Sequence, residues 1–316
     1  MINTPYKPPV EGYIQIHPAL QFLIFTGVFI GFLFVGTMVG AGIVTALYGL
    51  KTLMAVGTLS VASPHFVNAL WVLQLTGTTL PIFAAPVFFS YVIVTDPEDY
   101  MKPGWALPWM LFPLVLLIML ISNPTIEVLS NINQKMELPH FLSGVQRWME
   151  ESENSAQKLT GSMLQMKTIW DMIIDILLIG LMTAIVEEFM FRGVLQTIFT
   201  RWTKNTDAAI WITGILFSAF HIEFFGFLPR LMLGVLFGYF VAWSGSIWPA
   251  VWAHFLNNAT AVVATYLFQH KVIKVNPDDQ HLFNAGSYIF SFVIMLLMLF
   301  IYRKTAAEKK PIAEYY

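Results

Sequence analysis

Ile185-Val186-Glu187-Glu188-Phe189-Met190-Phe191-Arg192 lies inside an apolar run that extends from Ile169 to Phe199. About 20 apolar residues in a helix are enough to cross a hydrocarbon core, so the run is long enough to span a membrane. It nevertheless carries two acids and a base near its centre, where an ionisable group costs several kcal/mol unless it is paired or hydrated. Working outward, further apolar runs occupy residues 20–48, 66–94, 105–122, 208–224, 227–244, 246–268 and 284–302. The pattern predicts an all-α fold, a polytopic transmembrane helix bundle of about eight spans. The run 169–199 is too long for a single upright crossing, and Gly193 is the expected point of a bend or fold-back. The apolar but short stretch 52–63 reads as an interfacial or re-entrant piece.

Composition agrees. Hydrophobic residues make up 57% of the 316-residue chain and charged residues 11%, against roughly a quarter charged in soluble domains, so lipid must cover much of the surface. A net charge of −2 argues against nucleic acid as a partner. Cysteine is absent, which excludes disulfides and thiolate metal sites. Ten Trp and 27 Phe suit a lipid-facing surface with aromatic belts. Residues 1–18 lack a basic start leading into a short apolar core, so the first span is expected to target and anchor the chain rather than be cleaved.

The polar segment 123–168 divides the chain. It sets Glu127, Glu137, Glu150, Glu151 and Glu153 against Lys135, Arg147, Lys158 and Lys167, and its scattered Leu, Ile, Met and Trp predict amphipathic helices on the membrane surface. The expected organisation is a three-span part (1–122), this connection (123–168), a five-span core (169–302) and a basic tail (303–316). Arg303, Lys304, Lys309 and Lys310, with Arg201 and Lys204, place both termini in the cytoplasm by the positive-inside tendency, in a cell (inner) membrane.

The ionisable residues within apolar spans are Asp171, Asp175, Glu187, Glu188, Arg192, His221, Glu223, Arg230 and His254, joined by Asn257 and Asn258. All follow residue 168, so chemistry belongs to the C-terminal part. Glu188 and Arg192 are four apart and can pair on one helix face. Glu187 is rotated from Glu188 by about 100° and is left without that partner, as a candidate general base. Phe217 lies one turn before His221 and can pack beside it. His254 and Asn258, also four apart, aim an imidazole and a carboxamide at one spot. Each motif alone could be a structural contact between helices. Together they supply a carboxylate, two imidazoles and an amide, which can activate water and hold an oxyanion.

The order E-E-x-x-x-R, F-x-x-x-H, H-x-x-x-N, each on its own apolar helix within about 70 residues, resembles the type II CAAX prenyl proteases and their bacterial relatives, the CPBP intramembrane proteases. Phe227-Leu228-Pro229-Arg230-Leu231-Met232-Leu233-Gly234 and Ser244-Gly245-Ser246-Ile247-Trp248-Pro249 look like that family's linking segments, and the resemblance covers roughly residues 165–270. It implies an intramembrane endopeptidase acting on a membrane-associated protein or peptide. Glu187 and His221 would activate water, His254 and Asn258 would hold the oxyanion, and Glu188, Arg192 and Phe217 would support them. The family is described both as metal-dependent and as glutamate-type; a zinc ion would fall to Glu187, His221 and His254, although the H-E-x-x-H signature is absent.

The rivals are a non-catalytic immunity or scaffold protein of the same fold and a proton-coupled transporter. A serine type is disfavoured because Ala242 stands where a glycine is needed before Ser244-Gly245. An aspartyl type is disfavoured because Asp171 and Asp175 share one helix, as a solvated or pore-facing pair. Glu223 and Arg230 are expected at the interface.

Overall fold

The computed structural model describes residues 16–61, 63–276 and 282–308; Lys309, Lys310 and most of the 1–18 stretch lie outside them. Among the described residues the helices are α1 (Pro18–Tyr48), α2 (Leu50–Gly57), α3 (Phe66–Ile93), α4 (Pro97–Met101), α5 (Leu111–Gln134), α6 (Ser143–Met163), α7 (Ile169–Thr203), α8 (Thr206–Phe220), α9 (Phe227–Ser244), α10 (Trp248–Gln269) and α11 (Ala285–Ala307). No strand occurs among them. Six helical stretches are long and apolar enough to cross a membrane, and α8 is a shorter apolar helix beside them. The chain is a multi-pass integral membrane protein.

Local sequence sets the ends. Pro18 opens α1 where a missing N–H costs nothing, and the His17 ring accepts from Ala19 N. Thr168 and Asp171 form a reciprocal capping box at the start of α7; Asp171 is thus a partly exposed helix cap, and Asp175 one turn on is buried. Asn205 caps α8 and Asn284 caps α11 through their side-chain oxygens.

Every residue from Val186 to Phe199 is buried, which makes the second half of α7 the axis of the bundle. Helices α1, α3, α8, α9 and α10 pack around it. Lipid tails are as apolar as the side chains, so such packing relies on close van der Waals contact and interhelical hydrogen bonds. Where α8 crosses α9, a Cβ on Gly234 would stand 3.1 Å from the Gly214 Cα. The two glycines let these backbones approach.

The structure revises three boundaries. The third span starts later and runs further than expected: α5 continues through Pro124 to Gln134, and Glu127 is buried. The carboxylate of Glu127 accepts from Leu282 N and Phe283 N at 3.1 Å each and from Tyr288 Oη at 2.8 Å, so it fastens the chain entering α11. The long run at α7 neither bends out nor folds back at Gly193. It continues as one helix with two π-helical turns, Ile176–Met182 and Phe189–Leu195, on either side of the α-helical stretch Thr183–Glu188. Gly193 is small because a Cβ there would lie 2.7 Å from the Tyr100 carbonyl oxygen. Finally, Arg303 and Lys304 are on the last turns of α11, not on a separate tail.

Candidate active site

Glu187 and Glu188 end the α-helical stretch at the centre of α7, and the rotation between neighbours sends them to different places. Glu188, fully buried, takes the pairing expected of it: its Oε1 accepts from Arg192 Nη1 at 2.8 Å. Arg192 also donates to the Gly234 carbonyl at 3.1 Å and lies over the Phe217 ring at 4.3 Å. The same Glu188 Oε1 is 2.8 Å from His254 Nδ1. Breaking a buried pair of this kind by removing one partner costs about 3–5 kcal/mol.

Glu187 is different. It is 7% exposed, and its Oε2 has no hydrogen-bond partner among the described residues. Both His221 Nε2 and His254 Nε2 stand 3.9 Å from that one oxygen. The other face of each ring is committed. His221 Nδ1 is 2.8 Å from the Phe217 carbonyl, which can only accept, so Nδ1 carries a hydrogen. His254 Nδ1 faces the Glu188 carboxylate and does the same. In the neutral tautomers both Nε2 lone pairs are therefore turned to Glu187. Phe217 packs edge-on against both imidazoles, with ring centroids at 5.0 Å from His221 and 5.8 Å from His254.

The His221 end is held under tension. Ile222, the next residue, has φ +54°, a left-handed conformation that a β-branched side chain adopts at a cost. The turn beyond it is pinned from several sides. Asn133 of α5 donates to the Phe224 carbonyl at 2.8 Å and accepts from Leu228 N at 2.6 Å. Ser218 donates to the Phe227 carbonyl at 2.6 Å. Arg230 pairs with the Glu223 carboxylate and donates to its carbonyl.

A cavity of about 270 Å³ opens onto Glu187 and His221. Gln74, Thr78, Thr79, Ile82, Thr183, Val186, Phe220 and Glu223 complete its lining. Glu223 lines this hollow and is paired there with Arg230. His254 is buried and does not line this cavity. A larger open hollow of about 590 Å³ borders Phe268, Gln269, Lys271, Ile273 and Lys274, far along the chain from these groups and without a carboxylate.

Glu187, His221 and His254 come together from α7, the end of α8 and α10. Asn258 does not join them by any hydrogen bond: it donates to the Ile179 carbonyl at 3.2 Å and accepts from Asn257 at 3.2 Å. Asp175, buried in α7, has no hydrogen bond to this group. Ser244 spends its hydroxyl on the Phe240 and Ser246 carbonyls at the end of α9. Sequence reasoning passed over Gln74, Thr78 and Thr79, the neutral polar face of an otherwise apolar span, and over Asn133. The only available signal was that such groups also need partners inside a membrane.

The bundle and its centre define a class: a multi-pass membrane protein with a buried acid and two imidazoles beside a polar hollow. The comparisons narrow this. Residues 169–260 match the family described as type II CAAX prenyl endopeptidase Rce1-like, and the chain carries that segment on α7 to α10, where the three motifs lie. Over 110 residues it is 27% identical to the uncharacterized protein YpbD of Bacillus subtilis (strain 168), covering 34% of this chain and 52% of that protein. The chain thus spans about half the length of this curated relative. No solved structure matches.

Proposed function

We propose that the protein is an intramembrane endopeptidase that hydrolyses a peptide bond in a membrane-associated protein or peptide. The observation that carries this reading is the convergence of two Nε2 atoms, each 3.9 Å away, on a buried Glu187 oxygen that has no partner of its own. A water molecule hydrogen-bonded at about 2.8 Å to each group fits that spacing.

In the proposed reaction, Glu187 takes a proton from this water as the water oxygen bonds to the scissile carbonyl carbon. His221, its tautomer fixed by the Phe217 carbonyl, accepts the second water hydrogen and orients the nucleophile. The carbonyl oxygen becomes an oxyanion. In this step His254, with Nδ1 kept on Glu188, carries a second proton and donates to the oxyanion from Nε2, and the amide hydrogen that Asn258 does not spend on Ile179 is the second donor. Glu187 then passes its proton to the amide nitrogen as the C–N bond breaks, which releases an amine and a carboxylic acid. Arg192 holds Glu188 in place.

The same atoms can be measured against the geometry of a metal site. Two imidazoles and a carboxylate are zinc-type donors, and ring N–H groups committed to a carboxylate and a carbonyl are usual behind a bound ion. Tetrahedral ligands at about 2.0–2.1 Å stand roughly 3.4 Å apart, however, and the spacing here is 3.9 Å. Among the described residues no three such groups close on one point. The donors as placed are too far apart for a tetrahedral ion.

The test is purified protein in liposomes with a peptide library, comparing wild type with Glu187→Gln and His254→Ala, each with and without a chelator. Both substitutions should lower turnover by about 10²–10⁴-fold. Cleavage that survives both rejects the assignment. Loss on chelation with rescue by zinc replaces direct water activation with a metal, and solute flux without cleavage replaces the protease with a transporter.

A further inference from the structure

The wall of the cavity opposite Glu187 comes from α3, outside the segment that matches the protease family. Its π-helical turn Leu75–Thr79 sets Gln74, Thr78 and Thr79 against the hollow. None of these three side chains makes a hydrogen bond within the described chain. Thr76 in the same turn shows the ordinary alternative, returning its hydroxyl to the Val72 carbonyl at 2.7 Å, as Thr26 and Thr52 do to Phe22 and Tyr48. An amide or hydroxyl left unpaired in hydrocarbon costs several kcal/mol. These groups therefore face water or a polar ligand.

The lining holds no lysine or arginine. Its fixed charges are the Glu187 and Glu223 carboxylates, and the nearby Arg230 is already paired to Glu223. With Glu223 and Arg230 offsetting each other, a free carboxylate inside would meet the unpaired Glu187 and no unpaired lysine or arginine, whereas a main-chain amide would find donors and acceptors on both walls. The volume of about 270 Å³ falls below the 300–1,000 Å³ typical of drug-sized sites and suits a short length of extended chain.

We infer that Gln74 and Thr78 form the substrate wall of this site, binding the uncharged main-chain amides of an internal segment rather than a free C-terminal carboxylate. The inference rests on the proteolytic reading for its substrate class, and binding separates the two. Full-length His254→Ala protein, which keeps every lining residue, is placed in nanodiscs with a fluorescent N-acetyl apolar hexapeptide ending in a carboxamide or in a free acid. The carboxamide form should bind about tenfold more tightly, and Gln74→Ala or Thr78→Val should each weaken it by several-fold, with Thr78→Ser restoring it, as expected for lost hydrogen bonds. In the wild-type background the wall substitutions should raise KM and leave kcat within about twofold.

Because the chain has no cysteine, Thr78→Cys gives a single thiol. It should react with a water-soluble thiol reagent and be protected by the carboxamide peptide. Equal binding of acid and carboxamide, wall variants with unchanged affinity, no binding at all, or an unreactive Thr78→Cys thiol each overturns the inference. Wall-dependent binding without hydrolysis by wild type supports the wall and removes the protease; hydrolysis with unchanged KM in the wall variants removes the wall alone.

Discussion

Helix α7 carries two groups of charged residues, and they are built on opposite principles. Near its C-terminal end Arg201 is saturated: it donates to Asp96 at 3.1 Å, to Asp99 at 2.5 Å and to Tyr100 Oη at 2.9 Å, and lies over the Tyr100 ring. Tyr100 in turn bonds Gln21 of α1, and Lys102 donates to Thr197 and to the Asp99 carbonyl. This group clamps α1 and α4 to α7. At the middle of the helix Glu188 is tied through one oxygen to Arg192 and His254, with its Oε2 and Arg192 Nε left unbonded, whereas the Glu187 carboxyl beside it makes no hydrogen bond among the described residues and borders the hollow. Polarity paired across helices holds a bundle together; a carboxyl left without any such pair next to a hollow is available for chemistry.

The largest effect should come from the open group. Glu187→Gln is expected to reduce peptide cleavage by about 10²–10⁴-fold while thermal stability in detergent stays unchanged or rises, since the carboxyl it replaces has no hydrogen-bond partner to lose. A marked fall in stability would make Glu187 a structural residue like its neighbour. Next, Arg192→Met strands the buried Glu188 and should destabilise by about 3–5 kcal/mol, read as a lowered unfolding midpoint, with activity lost in parallel. Arg201→Ala should cost only about 1 kcal/mol, because Asp96 and Asp99 are half-exposed, and should leave cleavage intact. An Arg201 effect as large as that of Arg192 would erase the contrast between the two groups.

The smallest effect concerns pH. Burial pushes the Lys102 ammonium down to about 8 from its ordinary 10.5. The unfolded chain then binds more protons than the folded one between these values, so stability should rise as pH increases from about 8 to 10.5. Lys102 reaches solvent in part, so the gain should be about 1 kcal/mol or less. Lys102→Met should flatten the dependence, measured by thermal unfolding across that range.

The charged motifs were legible because spacing reports helix faces. Glu188 and Arg192, four apart, do pair; Glu187 does point elsewhere; and Phe217 does flank His221. Whether Glu187, His221 and His254 would meet could not be read locally, since that depends on how α7, α8 and α10 cross. The α5 boundary was misread because Asn123, Pro124 and Glu127 look like the end of an apolar run. Pro124 is accommodated inside the helix, and Glu127 finds its partners more than 150 residues away in sequence, at the entry to α11. The α3 wall was invisible for a related reason. Gln74 and Thr78 carry no charge to draw notice, and their role appears only when α3 is set beside α7.

The two π-helical turns that bracket Glu187 bear on how this helix could change. Each wide turn closes its hydrogen bond five residues back instead of four, so it stores one surplus residue in the helical phase. Loss of one residue from Phe189–Leu195 could be absorbed by tightening that turn to an ordinary pitch, leaving Arg201 and its clamp in phase with α1. Loss of one residue from Thr183–Glu188, which has no slack, would instead swing the acid about 100° off the two imidazoles. The wide turns are thus reservoirs of length, and the six residues between them are a fixed gauge.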